Sequence, residues 1–361
     1  MNIAYTPLKL LHHPDTIYKL RNNIQPSPIL VQVVLSDLCN QDCSFCAYRL
    51  SGYSSNQLFP DETGNNNPVR QLPYGKVLEI FEDCSELGVK AIEFTGGGEP
   101  TVHPQHRELF EKALYHGFDI SLVTNGLLLN EGTLQVLTRA KWVRFSIDAG
   151  SDRSYSIIRK VSKSAYHRVL KNIEQFVLLK RELDSDTTIG ISYVVLKENY
   201  TEIKFAVQVA KTLGVDYIRI GAFFSNDDEK YYDGKLEYIQ NTIEDCKKEE
   251  TPFFKVINQF DSRYSDLANK NPDYKMCGHQ YINTYIGADQ NVYRCCALAY
   301  NTAGLIGSIK DRSFKDLWNS SEKKDNFSNF DARSCERCPF NDKNKLINYI
   351  ISKNPTHVNF V

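Results

Sequence analysis

Short apolar segments alternate with longer segments of helical spacing along the first 221 residues of the chain. Each apolar segment predicts a buried parallel strand, and each segment between two of them predicts a helix. Strands that alternate with helices form a parallel sheet with right-handed crossovers. Six such strand–helix units predict an incomplete barrel. The six predicted strands are residues 29–35, 91–95, 120–124, 143–147, 189–195 and 217–221.

The size and composition of the chain suit one large and one smaller module. It has 361 residues, of which 42% are hydrophobic and 24% are charged. We expect an N-terminal extension over residues 1–28, the barrel over 29–250 and a cysteine-rich module over 251–361. Residues 51–72 lack periodicity and predict a long loop, whose aromatic side chains are candidate lid residues.

Charge and hydropathy narrow the range of partners. The net charge of -1, from Lys+Arg 43 and Asp+Glu 44, gives no long-range attraction to nucleic acid or anionic lipid. A local patch of basic residues is still compatible with a net charge close to zero. The N-terminal segment lacks the apolar core of a signal peptide, and no stretch approaches the ~18–20 apolar residues of a membrane span. The sequence therefore predicts a cytoplasmic protein with no membrane partner.

Three cysteines follow the first predicted strand: Cys39, Cys43 and Cys46. This C-x3-C-x2-C spacing places three thiols on one loop, which can ligate three corners of a cubic iron–sulfur cluster. The fourth iron would then have no protein ligand. A structural zinc site needs four ligands, and no fourth cysteine or histidine lies close by in the sequence. A disulfide needs an oxidising compartment, which nothing in the chain indicates.

Polar residues also follow the next predicted strands, at the barrel end where β/α enzymes place their functional groups. The second strand leads into the Gly-Gly-Gly-Glu-Pro run at 96–100, and the third ends in Thr124-Asn125-Gly126. The fourth ends in Ser146 and Asp148, which strand alternation places on one face. Glycines leave bare backbone for a ligand, although an ordinary tight turn uses the same residues.

The cysteine triplet, with Phe45 before its last member, resembles the signature of the radical S-adenosylmethionine (SAM) enzymes, and residues 97–100 resemble their GGEP element. The resemblance implies a partial (β/α)6 TIM-like barrel of the α/β class. It also implies a SAM-binding [4Fe-4S] cluster on three cysteines and SAM on the open iron. Cleavage of SAM would give a 5′-deoxyadenosyl radical that abstracts hydrogen from a substrate. The implied SAM-binding residues are Gly97, Gly98, Glu99, Pro100, Asn125, Ser146, Asp148, Arg159 and Asn199.

Within that set the resemblance assigns distinct parts of SAM. The GGEP element receives the methionine ammonium, Ser146 and Asp148 bind the ribose hydroxyls, Arg159 faces the carboxylate and Asn199 lies on the adenine side. Simpler roles stay open for three positions. Asn125 suits an ordinary Asn-Gly turn, Arg159 a solvated helix charge, and Asn199 a helix N-cap.

A second cysteine set lies in the C-terminal part of the chain. Residues 281–295 predict a β-hairpin with its turn at 287–291, which brings the cysteines at its two ends together. A Cys-x2-Cys pair follows a predicted helix at 313–321. Four such thiolates form either a structural zinc site or a second iron–sulfur cluster. The four residues are Cys277, Cys295, Cys335 and Cys338.

Residues 307–318 resemble the linker of SPASM and twitch domains, which extend radical SAM enzymes with auxiliary clusters. This resemblance implies a small C-terminal α+β domain with an auxiliary [4Fe-4S] cluster. Gln290 stands where those domains have glycine, which leaves the turn geometry open. No cysteine follows Cys338, as in the shorter twitch-like form. Cys296 is either an alternative ligand or a catalytic thiol that returns hydrogen to a substrate radical, and a buried inert thiol is the simpler alternative.

The implied substrate is a small molecule, a nucleotide or modified base, or a peptide, and the implied reaction is oxidation, isomerisation or epimerisation. A flavodoxin- or ferredoxin-type protein would supply electrons. Only 38 residues precede Cys39, too few for an independent peptide-binding domain. A peptide maturase would therefore use a separate recognition protein. A non-catalytic zinc or iron–sulfur protein is the alternative from another class.

Overall fold

The computed structural model describes residues 5–48, 71–224, 228–269, 271–352, 355–357 and 359. Its centre is one ten-stranded sheet in the order β10-β9-β8-β1-β2-β3-β4-β5-β6-β7. The strands are β1 (Leu30–Val34), β2 (Ala91–Thr95), β3 (Asp119–Thr124), β4 (Trp142–Ser146), β5 (Thr188–Val195), β6 (Tyr217–Ala222), β7 (Lys255–Gln259), β8 (Asn283–Ile286), β9 (Asn291–Tyr293) and β10 (Leu305–Ser308).

Helices follow the parallel strands, as the sequence pattern predicts. The predicted loop at 51–72 lies outside the described residues over 51–70. Among the helices that the structure describes, none is long and apolar enough to cross a bilayer. The helices are α1 (Pro14–Arg21), α2 (Tyr74–Leu87), α3 (His106–Tyr115), α4 (Glu131–Leu137), α5 (Asp152–Arg159), α6 (Lys163–Glu182), α7 (Ile203–Leu213), α8 (Leu236–Cys246), α9 (Phe260–Ala268), α10 (Phe314–Asn319), α11 (Ser321–Asn329) and α12 (Asn341–Ile351).

The partial barrel predicted from the sequence is confirmed. All six predicted strands are present, and each pairs in parallel with its neighbour from β1 through β6. A seventh strand, β7, adds to β6 in parallel, although it lies in the segment assigned to the cysteine-rich module. Within the described residues β7 and β10 form the two edges, so the sheet stays open.

Strand alternation separates an outer apolar face from an inner polar face. Val143 and Phe145 of β4 are fully buried in the main hydrophobic core beneath the helices. Arg144, between them, is half-buried on the opposite face. The pairing register places Gln32 beside Glu93 on that inner face. The inside of the barrel is therefore lined by polar and charged side chains.

The β8–β9 hairpin joins the barrel sheet directly, because β8 pairs in parallel with β1. The strands confirm the predicted hairpin, with the connection at residues 287–290. Gln290 adopts a left-handed conformation with φ 63°. Its carbonyl accepts a hydrogen bond from the Ile309 N–H at 2.8 Å, which fixes the turn against the next segment. The structure thus holds Gln290 in a left-handed conformation of the kind that favours glycine.

Gln290→Gly is expected to stabilise the protein by about 1 kcal/mol, because a left-handed residue with a Cβ costs about 1–2 kcal/mol and glycine loses part of that gain through chain entropy. The free energy of unfolding should be measured for the wild type and for both Gln290→Gly and Gln290→Ala. Alanine removes the same side-chain atoms but keeps the Cβ, so it should give no gain. Equal stability of the two variants would contradict the strain at this position.

Candidate active site

The loop with the cysteine triplet is attached to the C-terminal end of α5. The Asp42 N–H donates to the Arg159 carbonyl at 3.2 Å, and the Ser44 N–H donates to the Ile158 carbonyl at 2.9 Å. Carbonyls in the last turn of a helix lack partners within the helix, so they are free to accept these bonds. The helix therefore fixes the position of Cys43 through both of its sequence neighbours.

The Gly-rich turn after β2 packs against the start of the same loop. The Gly98 N–H donates to the Ser36 carbonyl at 3.1 Å, and the Glu99 N–H donates to the Leu38 carbonyl at 2.9 Å. A Cβ atom on Gly98 would lie 2.2 Å from the Leu38 carbonyl oxygen, and one on Gly97 would lie 2.5 Å from Asp37 Oδ1. The glycines thus allow close approach of the chain's own backbone as it enters the cysteine loop.

Glu99 is buried, and its carboxylate connects the ends of β2 and β3. Oε1 accepts hydrogen bonds from the Thr101 N–H, the Thr101 hydroxyl and the Thr124 hydroxyl at 2.7–3.1 Å. Oε2 accepts from the Asn125 N–H at 2.7 Å. Four donors on one carboxylate satisfy most of its lone pairs. Glu99 therefore fixes the positions of the two strand ends.

Asn125 bridges the third strand end and the cysteine loop. Its side-chain amide donates to Asn40 Oδ1 at 2.7 Å and lies 4.0 Å from Cys39 Sγ. Its Oδ1 accepts from the Leu127 N–H at 3.0 Å, which is an Asx turn. The structural role expected for an Asn-Gly turn is present, together with a contact to the cysteine loop.

Asp148 and Arg159 form a buried ion pair next to Cys43. The Arg159 guanidinium also donates to Cys43 Sγ at 3.2 Å through Nη1. Asp148 adopts a left-handed backbone conformation, and its Oδ1 accepts from the Val194 N–H at 2.7 Å. Burial raises the pKa of Asp148, and Arg159 opposes that shift. The alternative of a solvated helix charge is wrong for Arg159, since the residue is 5% exposed.

The remaining candidates for SAM binding lie on the same level of the barrel. The Ser146 carbonyl accepts from Arg159 Nη2 at 2.7 Å. Asn199 is fully buried, and its amide donates to the Asp148 and Val194 carbonyls at 2.8 and 2.9 Å. The Asn199 side chain does not cap the following helix. The structure therefore gathers the predicted residues after β2, β3, β4 and β5 around the cysteine loop.

The four cysteines of the C-terminal set come from three segments, and their charges interact with one another. Burial raises the pKa of Cys277 to about 11 and that of Cys335 to about 12, and in both cases the Cys338 charge adds to the shift. Cys295 shifts in the same direction, with Cys277 and Cys338 among the causes. Thiols that repel one another as anions form a donor set that a cationic iron–sulfur centre would stabilise. In the part of the chain described, no three His, Cys, Asp or Glu side chains meet as ligands of a single ion.

Cys295 and Cys296 are adjacent in sequence, but they differ in the other groups that they contact. The charge of Cys295 interacts first with Cys296 and then with Cys277 and Cys338 of the C-terminal set. Cys296 packs against an apolar cluster that includes Val34 of β1, and its charge also interacts with Glu93 of β2. Cys295 is therefore the better candidate ligand, and Cys296 has additional contact with the barrel sheet.

Arg294 is a buried residue of the C-terminal set that sequence reasoning missed. Its charge interacts with Cys277, Cys295 and Cys335, and its guanidinium lies 4.0 Å from the centroid of the Phe330 ring. It donates to the Asn326 carbonyl at 3.0 Å. Burial lowers its pKa to about 10 even though the thiols oppose that shift. In the sequence, its position directly before Cys295 is the feature that could have indicated this role.

Arg294→Gln is expected to make the reduction potential of the auxiliary cluster more negative by on the order of 100 mV. A nearby charge at an effective dielectric constant of about 20 contributes on the order of 2 kcal/mol to reduction, which corresponds to about 100 mV. An EPR-monitored redox titration measures the shift. Arg333→Gln is the matched control, because Arg333 is exposed and solvent screens its charge. Equal potentials in the two variants would contradict an electrostatic role for Arg294.

Comparison with known proteins agrees with this geometry. The family model of the radical SAM superfamily matches residues 33–210. The model of the SPASM iron–sulfur cluster-binding domain matches residues 277–339. The chain belongs to the radical SAM superfamily. Its cofactors are a SAM-binding [4Fe-4S] cluster, SAM and an auxiliary iron–sulfur cluster.

Relatives of this radical SAM protein carry diverse names. A tungsten-containing aldehyde ferredoxin oxidoreductase cofactor-modifying protein from Pyrococcus furiosus is 24% identical, with 85% of this chain and 86% of that protein aligned. An S-adenosylmethionine-dependent nucleotide dehydratase from Flammeovirga pacifica is 31% identical over 50% of this chain and 57% of that protein. SuiB from Streptococcus suis, solved with its precursor peptide SuiA, shares the fold with a TM-score of 0.63. It is 17% identical, over 96% of this chain and 78% of that one.

Proposed function

We propose that this radical SAM enzyme holds its SAM-binding cluster on Cys39, Cys43 and Cys46 and abstracts hydrogen from an organic substrate inside the barrel. The observation that carries the proposal is the attachment of the cysteine loop to the Gly-rich turn and to Arg159, at the carboxyl ends of the strands. When bound, the cluster supplies the electron that cleaves SAM, and SAM supplies the 5′-deoxyadenosyl radical. The donor chemistry of three half-buried thiols beside a guanidinium fits that cluster.

The residues around the loop take supporting roles in this proposal. Arg159 donates a charge-assisted hydrogen bond to the Cys43 thiolate, and Asp148 holds the guanidinium in place. Because the Glu99 carboxylate already accepts four hydrogen bonds, we assign contact with the SAM ammonium to the half-buried Gly97–Gly98 backbone, which Glu99 positions. Pro100, Asn125, Ser146 and Asn199 remain proposed contributors to the SAM site.

For the auxiliary cluster we propose the ligands Cys277, Cys295, Cys335 and Cys338, with Arg294 offsetting part of their negative charge. The interaction of these thiols with one another and with Arg294 supports the assignment. A cluster with four protein ligands has no open iron. Its role would be electron transfer or bracing of the fold, with a flavodoxin- or ferredoxin-type protein as the external electron donor.

The reaction we propose is an oxidation, an isomerisation or an epimerisation of a small molecule, a nucleotide or a peptide. The names of the relatives cover cofactor, nucleotide and peptide chemistry. A peptide substrate is supported by the fold shared with SuiB, whose structure holds a precursor peptide. In that case a separate recognition protein would present the peptide.

A redox-neutral outcome is the second candidate, because Cys296 packs against the apolar cluster that includes Val34 of β1 and its charge interacts with Glu93 of β2. In this version the Cys296 S–H gives a hydrogen atom to the substrate radical, and one electron from the donor protein with one proton from solvent restores the thiol. Turnover in D2O would then place deuterium on the substrate carbon. Cys296→Ala should abolish that incorporation and retain hydrogen abstraction. Deuterium incorporation equal to that of the wild type would rule out Cys296 as donor.

Anaerobic reconstitution tests the proposed function. The wild type should bind roughly eight irons per chain, as two four-iron clusters, and release 5′-deoxyadenosine from SAM under reduction. Cys43→Ala should retain about four irons and lose SAM cleavage by at least ~100-fold. Cys246→Ala, which removes a buried thiol of α8, should keep both properties. Zinc in place of iron without SAM cleavage, or full cleavage by Cys43→Ala, would overturn the assignment.

A further inference from the structure

Among the described residues, the inner face of the barrel carries two arginines that form no ion pair with a carboxylate, Arg144 and Arg219. Arg144 comes from β4 and Arg219 from β6, on either side of β5. Ser192 pairs with Ser146 on one side and with Arg219 on the other, so Arg219 lies level with Ser146. Both side chains are half-buried.

The hydrogen bonds of these two arginines leave most of their donors unused. Arg219 Nη2 donates to Ser192 Oγ at 2.8 Å, and Arg144 Nη1 donates to Tyr5 Oη at 3.4 Å. The Nε atoms of both are shielded from solvent and have no hydrogen-bond partner. A guanidinium has five N–H donors, and burying them without acceptors is costly. An acceptor with several oxygen atoms between the two side chains would satisfy them.

Further positive charge surrounds the pair. Burial lowers the pKa of Arg219 to about 10, and the charges of Arg144 and Arg263 add to that shift. The Arg263 guanidinium has a carboxylate neighbour, Asp266, at 3.8 Å. Glu93 is the carboxylate whose charge reaches Arg144, and its Oε1 accepts from Gln32 Nε2 at 3.0 Å. The inner face thus holds more positive than negative charge.

The N-terminal segment closes the lower end of this region with a further polar group. Tyr5 lies against Tyr217, the first residue of β6, with ring centroids 6.4 Å apart in an edge contact. Burial raises the pKa of Tyr5, but the charges of Arg144 and Arg219 outweigh that effect and lower it. A lowered phenol pKa is the response to a positive field. The Tyr5 hydroxyl accepts from Arg144 and donates to the Tyr217 hydroxyl, each at 3.4 Å, so it holds the Arg144 guanidinium in place.

Of the two arginines, Arg219 lies closer to the strand ends around the cysteine loop, because it is level with Ser146 and Arg144 lies two positions earlier on β4. The charge of Arg219 acts on Asp148, which belongs to the layer of strand ends around the cysteine loop. A small cavity of about 60 Å³, partly open to solvent, lies beside Cys335 and is lined by Phe224 and Arg337. Arg263 lies 5.4 Å from the centroid of the same Phe224 ring. Two further arginines therefore lie beside this cavity, and clustered positive charge attracts anions.

We propose that the substrate carries a phosphate or carboxylate group that binds between Arg144 and Arg219, with its reacting C–H bond directed toward the SAM site. This inference rests on the proposed function and names the chemical class of its substrate. Guanidinium groups match the planar geometry of carboxylate and phosphate oxygens, so two of them can hold one anion from both sides. Ser192 orients Arg219, and Tyr5 completes the lower side of the site.

Inorganic phosphate and acetate are suitable probes, because they distinguish the two sources of anion. Equilibrium dialysis or calorimetry on the reconstituted protein with SAM should show saturable binding of one of them. Arg144→Gln and Arg219→Gln should each weaken that binding by ~10-fold or more, the loss expected for a charged hydrogen-bonding partner. Arg168→Gln, an exposed arginine of α6, should bind as the wild type does. Higher salt should weaken binding to the wild type.

The controls separate this inference from the proposed function. Iron content and thermal unfolding show whether each variant is folded. If a glutamine variant fails to fold, Arg219→Lys keeps the charge, loses the planar fork and should weaken binding several-fold. Saturable binding of neither probe by the wild type, or equal affinities of Arg219→Lys, Arg219→Gln and Arg168→Gln, would overturn the anion site. Failure of the wild type to cleave SAM would overturn the proposed function and leave the binding result unaffected.

Discussion

Gly98→Ala is expected to lower the iron content from about eight to about four per chain, by loss of the cluster on the cysteine triplet. The added Cβ would lie 2.2 Å from the Leu38 carbonyl oxygen and 2.5 Å from the Asp37 carbonyl carbon. Both atoms belong to the backbone that leads into Cys39, so a side-chain rotation cannot relieve the clash. The Gly-rich turn or the cysteine loop has to move by more than a cluster ligand tolerates.

Iron analysis and the EPR signals of the two reduced clusters measure this result. Gly75→Ala is the matched control, since Gly75 lies in the first turn of α2 and a Cβ there would meet no atom within 4 Å. That variant should keep both clusters. The C-terminal set should remain filled in Gly98→Ala. Eight irons and full SAM cleavage in Gly98→Ala would show that the turn adapts, and the packing argument for the glycine would be wrong.

Arg159→Met is expected to destabilise the protein by about 3–5 kcal/mol at neutral pH and to abolish SAM cleavage. It leaves the Asp148 carboxylate buried without its charge partner and removes the N–H donor from Cys43. Burial already raises the pKa of Asp148 above its ordinary value, and loss of Arg159 raises it further. Above the ordinary pKa of aspartate, the unfolded chain has released this proton but the folded variant still binds it. The free energy of unfolding of the variant therefore falls as the pH rises from that value.

Unfolding measured at pH 5 and pH 8 tests the sign of this effect. The penalty of Arg159→Met should be smaller at the acid value, where Asp148 is nearer to its neutral form. Asp148→Asn in the Arg159→Met background should recover part of the stability and remove the pH dependence. Arg153→Met changes an exposed arginine of the same helix and should leave stability within about 0.5 kcal/mol of the wild type. A penalty independent of pH would contradict the charge explanation.

Local patterns were sufficient for the barrel strands and the hairpin, because periodicity and turn residues lie within a few positions of one another. The strand Lys255–Gln259 was missed, since its mixture of polar and apolar residues has no strong period and it becomes a strand by pairing with β6. The pairing of β8 with β1 joins positions more than 250 residues apart in the chain. No local signal encodes such a contact.

The residues of the candidate site also fall into two groups. Local sequence patterns predict the first group, and only the folded structure reveals the second. Spacing alone was sufficient to propose Cys39, Cys43 and Cys46 as ligands, because the three residues lie on one loop. The four hydrogen bonds to Glu99 and the contact between Arg159 and Cys43 depend on several strand ends meeting in space. Arg294 gave a weak signal by its position next to Cys295. Its burial against Phe330 came from the packing of segments distant in sequence.

The continuous sheet has a consequence for electron transfer. Strand β1 leads into the loop of Cys39, and the β8–β9 hairpin paired with it leads into Cys295. Both proposed cluster sites are therefore anchored to one hydrogen-bonded sheet, in which β8 alone separates β1 from β9. Tunnelling rates fall steeply with separation, so we expect the shared sheet to keep the rate between two bound clusters constant while substrate enters and leaves. Conformational gating, if the enzyme uses it, has to act on the substrate and not on the distance between the metal centres.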